Sequence, residues 1–287
     1  MKSAVKLIKF FERFANKGVR GKITAKFFSG LLKLIHPRAE LIDENLKIAY
    51  PESDSKWRKE IRRKVYENLA LTLTETLILQ HDNSQVFNWV KKINGLEILN
   101  NLLDQKKPAI ILTAHFSNWE LCGNFVAQNA IKHNHKLHVL YTPMHDEDLN
   151  NYVLNTRERG GMVMINKDIS VMKLIHMLKC GAHIALLNDV SGTGKMIVPF
   201  LGKNATNMPG VAVMSILSGA PIIPVCSYRT APFEHEVEIF EPLTMPDQNL
   251  NHDERLRIII FECNKALEKF IRKRPDLWFW LHNRWRD

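Results

Sequence analysis

Closely spaced cysteines are missing from this 287-residue sequence. Its four cysteines lie at least 37 residues apart and form no C-x2-C pair. This spacing argues against a zinc site, which needs clustered ligands, and against the dense disulfide framework of small secreted domains. We therefore expect no bound metal and four free thiols in a reducing cytosol. These thiols belong to Cys122, Cys180, Cys226 and Cys263.

Long apolar runs are missing from the N-terminal region. The longest uncharged stretch in the first 36 residues covers only residues 27–32. A membrane-spanning helix needs roughly 18 apolar residues. A secretory signal needs an apolar core of about 7 to 15 residues behind its positive charges. We therefore expect neither feature in this region.

Acidic residues are scarce in the same region. Residues 1–36 carry nine Lys or Arg against one acid, Glu12, although the net charge of the whole chain is only +10. Apolar residues recur there at helical spacing with the basic residues on the other faces, a pattern typical of a basic amphipathic helix. Two interpretations remain open. The region either packs on the domain as a helical hairpin with solvated lysines, or lies in the headgroup layer of an anionic membrane.

The remaining chain alternates between short apolar runs and helix-sized segments. The long segment 55–79 has an amphipathic helical pattern, and six short apolar runs follow, with the helix-sized segments 117–132, 146–159, 168–180 and 208–219 between most of them. The sequence predicts an α/β fold, a single domain with a largely parallel or mixed sheet covered by helices. We divide the chain into a basic amphipathic arm, 1–39, and a catalytic domain, 40–287. The predicted strands are 109–114, 137–141, 162–165, 183–188, 222–228 and 237–240.

One short stretch, AHFSNWELCG (114–123), places His115 five positions ahead of Glu120, directly after a predicted strand. Ser117 and Glu120 fit the S-x-x-E capping box, which is the simplest interpretation of the glutamate. Position 115 would lie at the carboxyl end of a strand, where open α/β sheets gather their ligand sites. The local pattern leaves both a catalytic dyad and a structural histidine open.

Family resemblance favours the catalytic interpretation. The H-x4-E spacing resembles the signature of glycerolipid-type acyltransferases, and most of the chain resembles the late acyltransferases of lipid A biosynthesis. The matching segments are collinear, which makes them more specific than H-x4-E alone. They are NLKIAYPE (45–52), TRERGGMVMI (156–165), NDVSGTGKMIVPFLGKNATNMPG (188–210), SGAPIIPV (218–225) and PDLWFWLHNRW (275–285).

The resemblance implies transfer of a fatty acyl group from a thioester to a hydroxyl. This reaction needs a base for the hydroxyl proton and donors for the developing oxyanion. His115 is the expected base, oriented by Glu120, and Arg157 the expected cation for a phosphate or an oxyanion. The sequence contains no G-x-S-x-G motif, the nucleophile elbow that would indicate an acyl-enzyme intermediate. We also expect no cofactor. Further substrate-binding residues implied by the resemblance are Asn118, Arg159, Asp189 and Lys195.

The same resemblance implies the partners. We expect acyl carrier protein as the acyl donor, an anionic lipid A precursor as the acceptor, and a location on the cytoplasmic face of the inner membrane. Coenzyme A thioesters with another glycolipid or a lysophospholipid remain an alternative, as does a catalytically silent lipid-binding protein. Nucleic-acid binding is not expected, because the excess charge is confined to an amphipathic arm.

Overall fold

A computed structural model describes residues 2–15, 19–191 and 196–285. The α-helices in these ranges are α1 Lys2–Ala15, α2 Arg20–Ile35, α3 Ala39–Ala49, α4 Ser55–His81, α5 Gln85–Trp89, α6 Leu96–Asp104, α7 Trp119–Lys132, α8 Glu147–Arg159, α9 Val171–Lys179, α10 Gly210–Ser218 and α11 His252–Lys273. The strands are β1 Val90–Asn94, β2 Ala109–Thr113, β3 Leu137–Tyr141, β4 Met162–Asn166, β5 His183–Leu187, β6 Met196–Phe200, β7 Lys203–Asn207, β8 Ile222–Ala231 and β9 Glu234–Ile239.

The main sheet confirms the predicted mixed α/β fold. Its strand order is β1-β9-β8-β2-β5-β3-β4. The strands β8, β2, β5, β3 and β4 are mutually parallel, whereas β9 pairs antiparallel with β8 and parallel with β1. A separate antiparallel hairpin joins β6 and β7. The carboxyl ends of the five parallel strands therefore meet at one edge of the sheet.

Two apolar cores cover the two faces of this sheet. Strand β2 shows why, since Ile110 and Leu112 point into one core and Ala109 and Ile111 into the other. Helices α3, α9, α10 and α11 supply the first core, and α5, α6 and α7 supply the second. Alternate residues of a strand point to opposite faces. A strand buried on both faces is therefore apolar throughout, which made β2 recognisable in the sequence.

The described strands that sequence reasoning missed are those without a buried apolar run. Strand β1 lies at the sheet edge with Lys91 and Lys92 exposed, and the β6–β7 hairpin alternates buried and exposed residues. Helix α11 did carry a usable signal. Its N-cap, Asn251, accepts a hydrogen bond from the Glu254 N–H at 2.9 Å, and apolar residues follow at helical spacing.

The N-terminal arm packs partly on the domain. Helix α2 buries Gly21, Thr24 and Ala25 and lies against α4, while α1 contacts α4 and α8. The face of the arm that points away from the domain is apolar and exposed. Phe11 of α1 packs against Phe27 and Phe28 of α2 and so joins the two helices. No helix within the described ranges combines the length and the apolar character needed to cross a membrane. The exposed apolar residues of the arm include Leu7, Phe10, Val19, Ile23, Phe27, Leu31, Leu34 and Ile35.

Candidate active site

Strand register brings His115 beside Asp189. β2 and β5 are parallel neighbours in which Thr113, the last residue of β2, pairs with Leu187, the last residue of β5. The residues two positions further along, His115 and Asp189, therefore lie side by side. The Nδ1 atom of His115 lies 2.9 Å from Oδ1 of Asp189, and the backbone N–H of His115 donates to Oδ2 at 2.9 Å. The carboxylate therefore fixes both the ring and the backbone of the histidine.

The electrostatics of this pair define the ring tautomer. Burial by itself would lower the pKa of His115, but the charge and hydrogen bond of Asp189 raise it above its ordinary value. Burial would raise the pKa of Asp189, yet His115 and the Trp278 indole lower it. An ionised carboxylate only accepts hydrogen bonds. Nδ1 therefore carries the proton, and neutral His115 has its lone pair on Nε2, for which the described residues provide no hydrogen-bond partner.

Glu120 does not orient His115, which corrects the predicted dyad. Helix α7 begins at Trp119 and its N-cap is Asn118, so the predicted capping box with Ser117 is wrong. Ser117 instead adopts a left-handed conformation with a φ of 54°. The Glu120 carboxylate pairs with Arg157, whose Nε and Nη2 donate at 3.0 and 2.7 Å. Asp189 already accepts the hydrogen bond from Nδ1 of His115. Glu120 therefore acts on His115 only through its charge.

The Gly160–Gly161 pair explains how Arg157 reaches Glu120. A Cβ on Gly160 would lie 1.7 Å from the side-chain oxygen of Asn124, and Gly161 has a φ of 90°. Glycine at these positions lets the end of α8 approach α7 closely. The guanidinium then forms a two-pronged ion pair with a largely buried carboxylate. The described residues accept no hydrogen bond from Arg157 Nη1.

Asn118 lies between the two catalytic candidates, and its side-chain contacts are all within the protein, so its role in substrate binding stays a prediction. It is completely buried, its Oδ1 accepts from the Leu121 N–H at 2.9 Å, and its Nδ2 donates to Glu75 at 2.8 Å. Glu75 is also buried and accepts hydrogen bonds from Arg229 and His235. Both ends of the Asn118 side chain are thus occupied within a buried polar network that supports the turn.

The C-terminal segment holds the other side of this turn. The Ser117 N–H donates to the Leu277 carbonyl at 2.7 Å, and the Phe279 N–H donates to the His115 carbonyl at 2.9 Å. The indole of Trp278 donates to Asp189 Oδ2 at 2.8 Å. Trp278, Trp280 and Trp285 are buried, and sequence reasoning did not place Trp278 in the site. It missed the hydrogen bond to Asp189, because no sequence spacing links positions 278 and 189.

Two apolar cavities meet at the site. We call the first the sheet-edge cavity, about 480 Å³, which lies below the carboxyl ends of the parallel strands. The second is the arm cavity, about 520 Å³, between α1, α2, α4 and α8. His115, Trp119, Glu120 and Arg157 line both. These candidate catalytic residues therefore lie between two apolar spaces suited to hydrocarbon chains.

The remaining predicted residues are less central. Arg159 lies at the end of α8, where its guanidinium donates to the Gln80 carbonyl at 3.4 Å, away from both apolar cavities. Lys195 lies outside the described residues. Among the residues that the structure does describe, no cluster of His, Cys, Asp or Glu is arranged to hold a metal ion.

Comparisons with known proteins agree with this architecture. The family model for bacterial lipid A biosynthesis acyltransferases matches residues 15–287. The lipid A biosynthesis palmitoleoyltransferase of Escherichia coli (strain K12) is 24% identical over 254 residues, which cover 87% of this chain and 79% of that protein. The lauroyltransferase of the same strain is 22% identical over 263 residues, 89% of this chain and 81% of that protein. Because the family model covers nearly the whole sequence, the chain belongs to the bacterial lipid A biosynthesis acyltransferase family and is an O-acyltransferase.

Proposed function

We propose that the protein transfers a fatty acyl chain from the thioester of acyl carrier protein to a hydroxyl of a lipid A precursor, with His115 as general base. One observation carries the proposal: the imidazole, bonded to Asp189 through Nδ1, lies where the sheet-edge and arm cavities meet. A base at this junction can reach a hydroxyl and a thioester whose hydrocarbon chains occupy the two cavities.

The proposed reaction is a direct transfer. Nε2 of His115 takes the proton of the acceptor hydroxyl as its oxygen attacks the thioester carbonyl. The carbon–sulfur bond then breaks, and the protonated ring returns the proton to the leaving thiolate. The products are an ester and a free thiol. Asp189 stabilises the protonated ring throughout, in the same way that it raises the pKa of His115 in the free protein.

Arg157 is the proposed cation for the oxyanion. Its Nε and Nη2 are taken by Glu120, while the described residues leave Nη1 without an acceptor. Glu120 thereby holds the guanidinium in one orientation beside His115. A donor that is held in place before the reaction stabilises the oxyanion without having to reorganise. In this proposal Glu120 positions Arg157 rather than the histidine.

The test is an assay with purified protein, a lipid A precursor and either acyl carrier protein or coenzyme A thioesters, read by mass spectrometry. We expect one added acyl ester with the carrier protein as donor. His115→Ala should lower kcat by at least about two orders of magnitude. His133→Ala is the matched control, because His133 contacts Asp104 away from the site. Transfer from coenzyme A alone would revise the donor, and near-normal turnover of His115→Ala would exclude the proposed base.

We also propose that residues 1–39 bind the cytoplasmic face of the inner membrane. The exposed apolar face of α1 and α2 supports this, because Phe10 is 61% and Leu34 79% exposed. Apolar insertion and attraction of about 1 kcal/mol per Lys or Arg would act together. Phe10→Ser with Leu34→Ser should abolish sedimentation with anionic vesicles, while Leu217→Ser, on α10, should not. Salt should weaken wild-type binding, and salt-insensitive binding would contradict the electrostatic part.

A further inference from the structure

A polar cleft adjoins the arm cavity and is not used by the proposed reaction. Its volume is about 400 Å³, and it lies between α1, the end of α4 and one face of α8. Its walls are charged or carry amide groups, in contrast to the apolar walls of the arm cavity. The residues that line it are Lys9, Glu12, Arg13, Gln80, Asp148, Asn151, Tyr152, Asn155 and Arg159.

Among the described residues, the cations of this polar cleft form no ion pair with a carboxylate. Lys9 and Arg13 stand four residues apart on α1, and neither forms an ion pair within the described residues. Arg159 faces the same space from α8, and within the described residues its guanidinium donates only to the Gln80 carbonyl. Glu12 lies in the same wall, where it accepts from the Tyr152 hydroxyl at 3.3 Å. The described lining therefore carries three cations against the two carboxylates of Glu12 and Asp148, and this excess of positive charge favours an anionic ligand.

Helix α8 connects the polar cleft to the catalytic residues. One of its faces, including Asn151 and Asn155, lines the cleft, and the neighbouring face, including Val153 and Arg157, lines the arm cavity. Tyr152 lines both spaces. A ligand with hydrocarbon chains in the arm cavity could therefore extend its polar end into the cleft while remaining beside His115.

We infer that the polar cleft binds the phosphorylated sugar headgroup of the acceptor glycolipid. Lys9, Arg13 and Arg159 match the phosphate, because guanidinium and ammonium groups form charge-assisted hydrogen bonds with its oxygens. The side-chain amides and Asp148 match sugar hydroxyls, which both donate and accept hydrogen bonds. The inference rests on the proposed function and extends it, because the arm then forms part of the acceptor site in addition to contacting the membrane.

The test compares two acceptors in detergent, a lipid A precursor with its phosphates and the same precursor after enzymatic dephosphorylation. Lys9→Gln combined with Arg13→Gln should raise KM for the phosphorylated acceptor about tenfold or more, with kcat nearly unchanged. The same variant should match the wild type on the dephosphorylated acceptor, which also shows that it is folded. Lys107→Gln with Lys136→Gln, two exposed lysines elsewhere, removes equal charge and should change neither KM.

The outcomes separate this inference from the proposed function. If the wild type transfers no acyl chain to either acceptor, both fail. If the wild type is active and the Lys9 and Arg13 variant has an unchanged KM for the phosphorylated acceptor, only the headgroup site fails. A defect that persists on the dephosphorylated acceptor, or that affects the KM of the thioester donor, would assign the cleft to another phosphate and would also overturn the inference. If the Lys9 and Arg13 variant were impaired only when the acceptor is presented in phospholipid vesicles, and not in detergent, the headgroup inference would also be overturned.

Discussion

Asp189→Asn preserves the shape of the side chain but replaces one acceptor oxygen by an amide group that donates hydrogen bonds. In the native protein, Oδ2 accepts from the His115 N–H and from the Trp278 indole, at 2.9 and 2.8 Å, while Oδ1 faces Nδ1. Those two donors will hold the amide oxygen of the variant at the Oδ2 position. Its NH₂ group then faces Nδ1, which must lose its proton to accept. The neutral ring is left with its proton on Nε2, the atom that has to act as base.

We expect Asp189→Asn to lower kcat strongly and to shift the pH–rate profile in a defined direction. The wrong tautomer should lower kcat by about three to four orders of magnitude, as for the corresponding change in a serine protease triad. The lost charge-assisted hydrogen bond is worth about 1.5 to 3 kcal/mol. Because Asp189 favours the protonated ring, its loss lowers the pKa of His115. The acid-side inflection of the pH–rate profile should therefore move to lower pH.

Two measurements check this reasoning. Steady-state profiles of kcat/KM against pH give the inflection, and ¹⁵N chemical shifts of the imidazole give the tautomer. Asp104→Asn is the matched control, since Asp104 contacts Nδ1 of His133 at 2.7 Å on the surface. A variant that keeps the native kcat, or an inflection that moves to higher pH, would show that Asp189 does not control the base.

Three further substitutions test the supports of the site. Arg157→Lys replaces the two-pronged contact with Glu120 by a point charge, so kcat should fall at least about tenfold, and an unchanged kcat would remove the guanidinium from the mechanism. Asn118→Ala removes an N-cap and leaves buried Glu75 with one donor fewer, so urea denaturation should show a loss of about 2 to 4 kcal/mol; a loss below about 1 kcal/mol would contradict this network. Gly160→Ala forces α8 away from α7, and should lower both the melting temperature and kcat, whereas native values would show that the close approach is unimportant.

Much of the candidate site could be predicted because its residues follow strands. His115 and Asp189 both come after apolar runs that became β2 and β5, and the sequence placed both at carboxyl ends of strands. It could not show that these strands are neighbours, because strand order depends on contacts between distant segments. Glu120 was assigned to His115 from the H-x4-E spacing and the resemblance that it carries, whereas in the folded chain Asp189, 74 residues away, pairs with Nδ1 of His115.

By itself, the sequence determined the alternation of strands and helices, the basic amphipathic arm and the position of the candidate catalytic histidine. Each of these follows from local periodicity or from a short motif, and both depend only on residues that are close together in the sequence. Only the tertiary structure decided which carboxylate orients His115, that Glu120 holds Arg157, and that Trp278 and the network around Glu75 secure the turn between them. These contacts join residues that are tens to hundreds of positions apart, and they exist because sheet register and helix packing bring buried polar groups together, where each must find a partner.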